Sequence, residues 1–329
     1  MTHRAVAAAA LLSVAILLGL LSFALAQPAR PPEALGRIFA ASFQDETKGL
    51  GLAELIGQEQ ANVVRTEDGG ATWRILYTFR RETLEGISMM PGGQLGMISG
   101  SGAFFRTTNG GRSWNKSRLP FEMSKLRFVG SHGFMVGTPT NARDDAGPTL
   151  LVTASKALRW EPRFQQPASV QDHCFSSEAI GWAIDDRGVH QSTDGGRRFT
   201  LKKELESSIA VACSDDRHVW VLVGNRVHQS FDAGETWFDH DVGSRSVFTS
   251  MQFVDGTHGW LYSDRELRAT EDGGNSWTLR MRAMGPPTFW DAQKGWALGG
   301  NGDIHHTNDG GRSWTDVRPA LAAPAVQGG

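Results

Sequence analysis

Acidic residues recur along this chain at a spacing that raises the question of acid–base chemistry. Asp68, Asn109, Asp194, Asp232, Asp272 and Asp309 each hold the third place of an octapeptide. The six octapeptides read TEDGGATW (66–73), TTNGGRSW (107–114), STDGGRRF (192–199), SFDAGETW (230–237), TEDGGNSW (270–277) and TNDGGRSW (307–314). Glycoside hydrolysis needs two carboxylates flanking one bond, roughly 5–10 Å apart. Carboxylates that recur once per repeat on equivalent turns do not pair in that way, so a turn-forming role is expected for them. His190, His228 and His305 sit nine residues before the octapeptide aromatic in three repeats, and Arg268 takes that place in a fourth. A metal would need such nitrogens within about 2 Å of one ion. Equivalent positions on different repeats do not converge that closely. A shared surface or cleft-lining role that meets a partner is expected of His190, His228, Arg268 and His305, with no catalytic residue, metal or cofactor.

The elements that position these residues follow from the period. The octapeptide aromatics are Trp73, Trp114, Phe199, Trp237, Trp277 and Trp314, separated by 41, 85, 38, 40 and 37 residues. The gap of 85 is two periods, and its midpoint holds a worn copy, TASKALRW (153–160), which keeps its hydroxyl residues and Trp160. Seven repeats of about 40 residues match one four-stranded propeller blade each. A second landmark, a Gly–aromatic or Gly–apolar pair, precedes each octapeptide: Gly49-Leu50, Gly96-Met97, Gly133-Phe134, Gly181-Trp182, Val219-Trp220, Gly259-Trp260 and Gly295-Trp296. Seven residues before the apolar member, Phe43, Phe175, Phe253 and Phe289 recur. Ten of the eleven Trp occupy one of the two repeat positions, which assigns them to packing between blades. The expected fold is all-β, a seven-bladed β-propeller over residues 37–319. In repeat 6 the strands are expected near 249–254, 259–262, 266–270 and 277–281, with the octapeptide turning strand three into strand four. There the Asp or Asn accepts backbone N–H groups and Gly supplies the positive φ.

These octapeptides are identified as Asp-boxes, or BNR repeats. The pairing of G-W-[A/L] with T-x-D-G-G-x-[S/T]-W in one period, as in GWALGGNGDIHHTNDGGRSW, resembles the photosystem II stability/assembly factor family of seven-bladed propellers. The likeness covers roughly residues 38–318. Repeats 1–3 depart from it by lacking Trp after the Gly, repeat 3 has lost the Asp and Gly of its box, and repeat 5 has Val219 for the Gly. The resemblance implies a non-enzymatic scaffold that binds a protein, a subunit or assembly intermediate of a membrane complex, with photosystem II as the family's reference client. Asp-boxes also occur in sialidases and some glucanases, so a carbohydrate-binding or glycosidase-like propeller is the alternative. A sialidase would bring an arginine triad and a Tyr nucleophile. This chain has only Tyr77 and Tyr262, with Tyr77 on an outer strand, and no Arg-Ile-Pro start motif.

The ends of the chain carry a different message. Residues 1–26 read as a signal peptide: Arg4 opens it, an apolar stretch follows, and Ala24-Leu25-Ala26 is an A-x-A cleavage site. An uncleaved anchor is the other reading of that stretch. The mature protein is expected to be exported, to the periplasm or a thylakoid lumen. Residues 27–36 read as a Pro-rich flexible linker and 320–329 as a disordered tail. An exported domain permits a disulfide. Cys213 sits in the Phe position of repeat 5 and Cys174 one residue before it in repeat 4. The two therefore either face each other between neighbouring blades or face apart. The net charge of −2 and the absence of any basic run longer than pairs such as Arg80-Arg81 and Lys202-Lys203 argue against nucleic acid. Two insertions between strands two and three break the period, near 55–60 and 141–148. The second carries Arg143, Asp144 and Asp145, and both are expected on one end of a monomeric propeller as a partner-binding rim.

Overall fold

The computed structural model describes residues 34–90, 92–100, 103–140, 147–154, 159–163, 169–281 and 285–322. The expected signal peptide, most of the linker and the tip residues Arg143, Asp144 and Asp145 lie outside the described residues. Within them the chain forms seven antiparallel four-stranded sheets, one per repeat, and no helix. In each blade the first strand is innermost and the fourth outermost. The worn repeat builds a complete third blade, from strands Phe121–Val129, His132–Pro139, Thr149–Thr153 and Glu161–Pro162. Repeat 6 forms Ser250–Phe253, Gly259–Tyr262, Leu267–Thr270 and Thr278–Met281, as its pattern predicts.

One packing rule, written by the sequence, repeats at the seams between blades. The Phe of an inner strand lies opposite the Gly of its own second strand, as Phe289 does Gly295. A Cβ on Gly295 would stand 2.6 Å from the Phe289 ring, which is why glycine is required there. The same ring stacks on the strand-two aromatic of the preceding blade: Phe253 on Trp220 at 3.7 Å and 4°, Phe289 on Trp260 at 3.6 Å and 6°, Phe175 on Phe134 at 3.7 Å and 12°. It also meets its own octapeptide Trp edge-on, as Phe253 meets Trp277 at 6.0 Å and 87°. Such ring pairs add about 0.5–1.5 kcal/mol each beyond their buried area. In blade 5 the rule changes at both positions together. Val219 replaces the Gly and faces Cys213, which replaces the Phe. The smaller cysteine side chain leaves room for the added Val side chain.

Cys213 is disulfide-bonded to Cys174, so the facing arrangement is the one the fold adopts. The bond is the covalent form of a link made at other seams, where the residue before the Phe position reaches the next blade. Ser42 Oγ accepts the Met89 N–H at 3.1 Å, and Gln252 accepts from Phe289 N at 3.0 Å while donating to its carbonyl at 2.7 Å.

The ring is closed by the end of the chain. Ala320–Leu321 forms a fifth strand on blade 1, parallel to Thr72–Trp73 of its outermost strand. Ala320 N donates to Ala71 O at 3.0 Å and Ala322 N to Trp73 O at 2.8 Å. This corrects the expected tail boundary: residues 320 and 321 are ordered because an open outer edge offers them unpaired backbone groups. At the other end, blade 1 begins at Leu35, inside the expected linker.

Candidate functional site

The octapeptide carboxylates are consumed by their own turns. In the first box the Thr66 hydroxyl donates to Asp68 Oδ1 at 2.8 Å and accepts the Gly70 N–H at 2.8 Å. Asp68 Oδ1 also accepts Thr72 N at 2.9 Å, and Oδ2 accepts the Thr72 hydroxyl at 2.6 Å. Asp232, Asp272 and Asp309 repeat this set, and Asp194 repeats all but the last bond because Arg198 offers no hydroxyl. Asn109 keeps the geometry but reverses one polarity, its amide donating to Ser113 Oγ at 2.8 Å. The Thr236 hydroxyl and N–H hold the Asp232 carboxyl down at about 2. Burial pushes Asp309 the other way, yet the Ser313 hydroxyl and N–H prevail and it too lies at about 2. A carboxylate so engaged by its own turn is held ionised and does not carry a proton near neutral pH.

The octapeptide aromatics anchor these turns. Trp73, Trp114, Trp237, Trp277 and Trp314 each donate their indole N–H to the second box Gly carbonyl, at 2.7–3.2 Å. Phe199 has no such donor. In the worn box that Gly is missing, and the buried Trp160 N–H has no partner among the described residues. Strand-two Trp residues tie adjacent blades as well: Trp220 donates to Gly273 O at 2.7 Å and Trp260 to Gly310 O at 3.0 Å. At the closing seam His306, not Trp296, donates to Gly69 O, at 2.7 Å.

His190, His228, Arg268 and His305 occupy equivalent third-strand positions, but each is engaged locally. His190 is buried against Asp185 at 2.8 Å, and His305 meets Asp316 at 2.7 Å. Arg268 donates to Glu266 at 3.2 Å and to the Val242 carbonyl at 3.3 Å. Burial lowers the pKa of His228, which faces Asp239 in the ladder. No group of three or more His, Cys, Asp or Glu that could hold a metal occurs among the described residues.

Three features were not singled out in the sequence. The inner strand of blade 3 has a bulge at Lys125, whose φ is 51°, where the other inner strands are mostly apolar or small. Lys125 Nζ lies 3.5 Å and Arg127 3.9 Å from the buried Asp172 carboxylate of blade 4. Beside them His173 is wholly buried and donates through Nε2 to Lys125 O at 2.9 Å. Its burial first, and the Arg127 charge second, depress its pKa to about 4. The second feature is a cavity of about 480 Å³ between blades 3 and 4, lined by His132, Arg159, Glu161, Arg163, Glu178 and Arg197 among others. Its charges largely satisfy one another: Arg163 donates to Glu161 at 2.6 Å, and Ser131 N holds Glu178 at 2.6 Å. The third is a smaller cleft of about 200 Å³ between blades 2 and 3. Two inner-strand cations in blade 3, and that repeat's missing Trp and box, were the available signals.

No family model and no curated protein matches the chain. Solved propellers do resemble it. YCF48 from Cyanidioschyzon merolae is 15% identical with a TM-score of 0.57, over 74% of this chain and 89% of that one. A GH74 xyloglucanase from Xanthomonas campestris is 13% identical with a TM-score of 0.60, over 87% of this chain but only 54% of the enzyme. The WD40 propeller domain of Doa1 is 12% identical with a TM-score of 0.55, over 84% of this chain and 90% of that one. At these identities the likeness is one of fold, which an enzyme and a WD40 domain share with this chain.

Proposed function

We propose that this is an exported, non-catalytic propeller that binds a protein, and that its client belongs to a membrane complex. The observation that carries the reading is a pair of lengthened hairpins on one end of the ring. Strands two and three span Gly49–Leu55 and Ala61–Thr66 in blade 1, and His132–Pro139 and Thr149–Thr153 in blade 3. In the remaining blades these strands have five residues or fewer. The insertions therefore go with longer second and third strands in blade 1 and a longer second strand in blade 3, and blade 2 lies between them. Ile56 at the first tip is 69% exposed, an apolar contact held out to solvent. The disulfide suits an oxidising compartment and supports the export reading of residues 1–26. The motif resemblance to photosystem II stability/assembly factors supports a membrane-complex client.

Affinity capture of the tagged protein from detergent-solubilised membranes, with mass spectrometry of what co-purifies, tests this. A stoichiometric membrane-complex subunit, lost when Ile56 becomes Ser, is the expected result. The shared fold of the xyloglucanase gives the carbohydrate reading its footing. Release of reducing sugar from xyloglucan by the purified protein would replace the binding reading with that one.

A further inference from the structure

We infer that the cleft between blades 2 and 3 takes a cationic side chain, Lys or Arg, of the partner protein; this rests on the protein-binding reading above and gives it a chemistry. At about 200 Å³ the cleft is smaller than the roughly 300–1,000 Å³ of small-molecule sites, and suits one long side chain. Its floor is apolar: Phe104 is buried, and Leu119, Phe121 and Met123 are half-buried. Two exposed carboxylates, Glu85 and Glu122, line it, one from the inner strand of each blade, and no cation does. Among the described residues neither carboxylate has an ion pair or hydrogen bond, whereas Glu82, Glu161, Glu178 and Glu266 are all paired.

The backbone explains how Glu85 comes to face the cleft. The ladder pairs Leu84 with Gly100 and Gly86 with Ser99, leaving Glu85 as the extra residue of a bulge. A bulge re-aims its side chain away from the regular alternation. The equivalent bulge carries Phe39 in blade 1 and Ile209 in blade 5, whereas in blade 2 it carries a carboxylate. A Lys or Arg matches the whole cleft: its methylene stem covers the aromatic floor while its charged end stays hydrated between two carboxylates. The cleft opens at the end of the ring where the blade 1 and blade 3 hairpins project, since it is built from the start of both inner strands and from Ser99, Gly100 and Ala103, at the end of strand two and the start of strand three of blade 2.

The test uses the full mature protein and a fluorescein-labelled decapeptide with a central Leu-Lys-Lys-Leu, read by anisotropy. Saturable binding is expected, weakened at least tenfold in the E85Q/E122Q double variant and by added salt, with no binding of a Leu-Glu-Glu-Leu counterpart. The variant should keep its Tm, because neither carboxylate has a partner among the described residues. Absence of saturable Lys-peptide binding up to millimolar concentration, or equal binding by the variant, overturns the inference. A second arm places p-benzoylphenylalanine at Leu119 and irradiates with solubilised membranes. A cross-linked client segment containing Lys or Arg supports the inference, and one without either overturns it. A client retained equally by wild type and E85Q/E122Q overturns the cleft and leaves protein binding standing. No client captured by either overturns the functional reading itself.

Discussion

Blades 4–7 and blades 1–3 are made from the same repeat and are packed differently. Strand two carries Trp182, Trp220, Trp260 and Trp296 in the first group, and Leu50, Met97 and Phe134 in the second. At the seams after blades 5 and 6 the indole both stacks on the next Phe and donates to the next box. The seams after blades 2 and 3 have no such donor and carry cavities of about 200 and 480 Å³, although a cavity of about 490 Å³ also lies between blades 5 and 6, lined by Asp241, Arg245, Glu266 and Arg268 among others. The same half holds both hairpin extensions, the worn box and the carboxylates of the cleft. The difference teaches that the stacked, hydrogen-bonded Trp seams and the lengthened hairpins occupy separate arcs of one ring. Repeats under a shared packing rule stay alike, and repeats released from it vary in strand length and in their strand-two side chain.

That comparison breaks most visibly if its strongest seam proves unimportant. Trp260→Ala should destabilise by about 3–5 kcal/mol in urea unfolding, the range for a large packed aromatic. A cost below that of Glu85→Gln would sink the assignment of packing to this arc. Next in size is the disulfide at the seam where an aromatic pair is missing. Cys174→Ser with Cys213→Ser should cost about 2–5 kcal/mol, measured with and without reductant. Equal stability of the oxidised and reduced wild type would show that Val219 and Trp182 already hold that seam.

A third effect, about 3 kcal/mol, belongs to the polar side of the comparison. His173 is held neutral, its pKa depressed from 6.5 to about 4. The unfolded chain therefore takes up the proton first. Stability is full above the ordinary value and falls as pH drops from 6.5 toward 4. His173→Gln should flatten the profile in that window, and an unchanged profile would remove the histidine as its cause. Below it the octapeptide carboxylates take over, losing their contribution as pH falls from 3.8 toward the folded values near 2. The smallest expected loss is about 1 kcal/mol for Asp272→Ala, a turn hydrogen-bonding residue. If it matched Trp260→Ala, turn and anchor could not be told apart.

Much of the fold was legible because its rule is local and repeated. The Trp–Gly–Asp register gave seven blades, strand order and turn chemistry, including the third blade, whose only surviving box aromatic is Trp160. The coupled change of Gly to Val219 and Phe to Cys213 was visible as two departures. Their connection was not, since it depends on the two residues facing each other across a strand pair. The candidate site was less legible. Glu85 points into a cleft because of a bulge, and a one-residue register shift leaves no mark in composition. Lys125 and Asp172 lie 47 positions apart and belong to different repeats, so no periodic reading joins them. His190, His228, Arg268 and His305 show the opposite case: equivalent in sequence, yet each answered by its own neighbours.

The strand at Ala320–Leu321 also bears on how the molecule is made. It pairs with Thr72–Trp73, so blade 1, the first in chain order, keeps an unfinished outer edge until residues 320 and 321 reach it. Closing so long a loop adds little entropy beyond closing a shorter one, because that term grows only with the logarithm of length. The delay is one of timing: seven blades can assemble in order from the N-terminus, but a polypeptide interrupted after Trp314 lacks the latch that joins its last segment to its first.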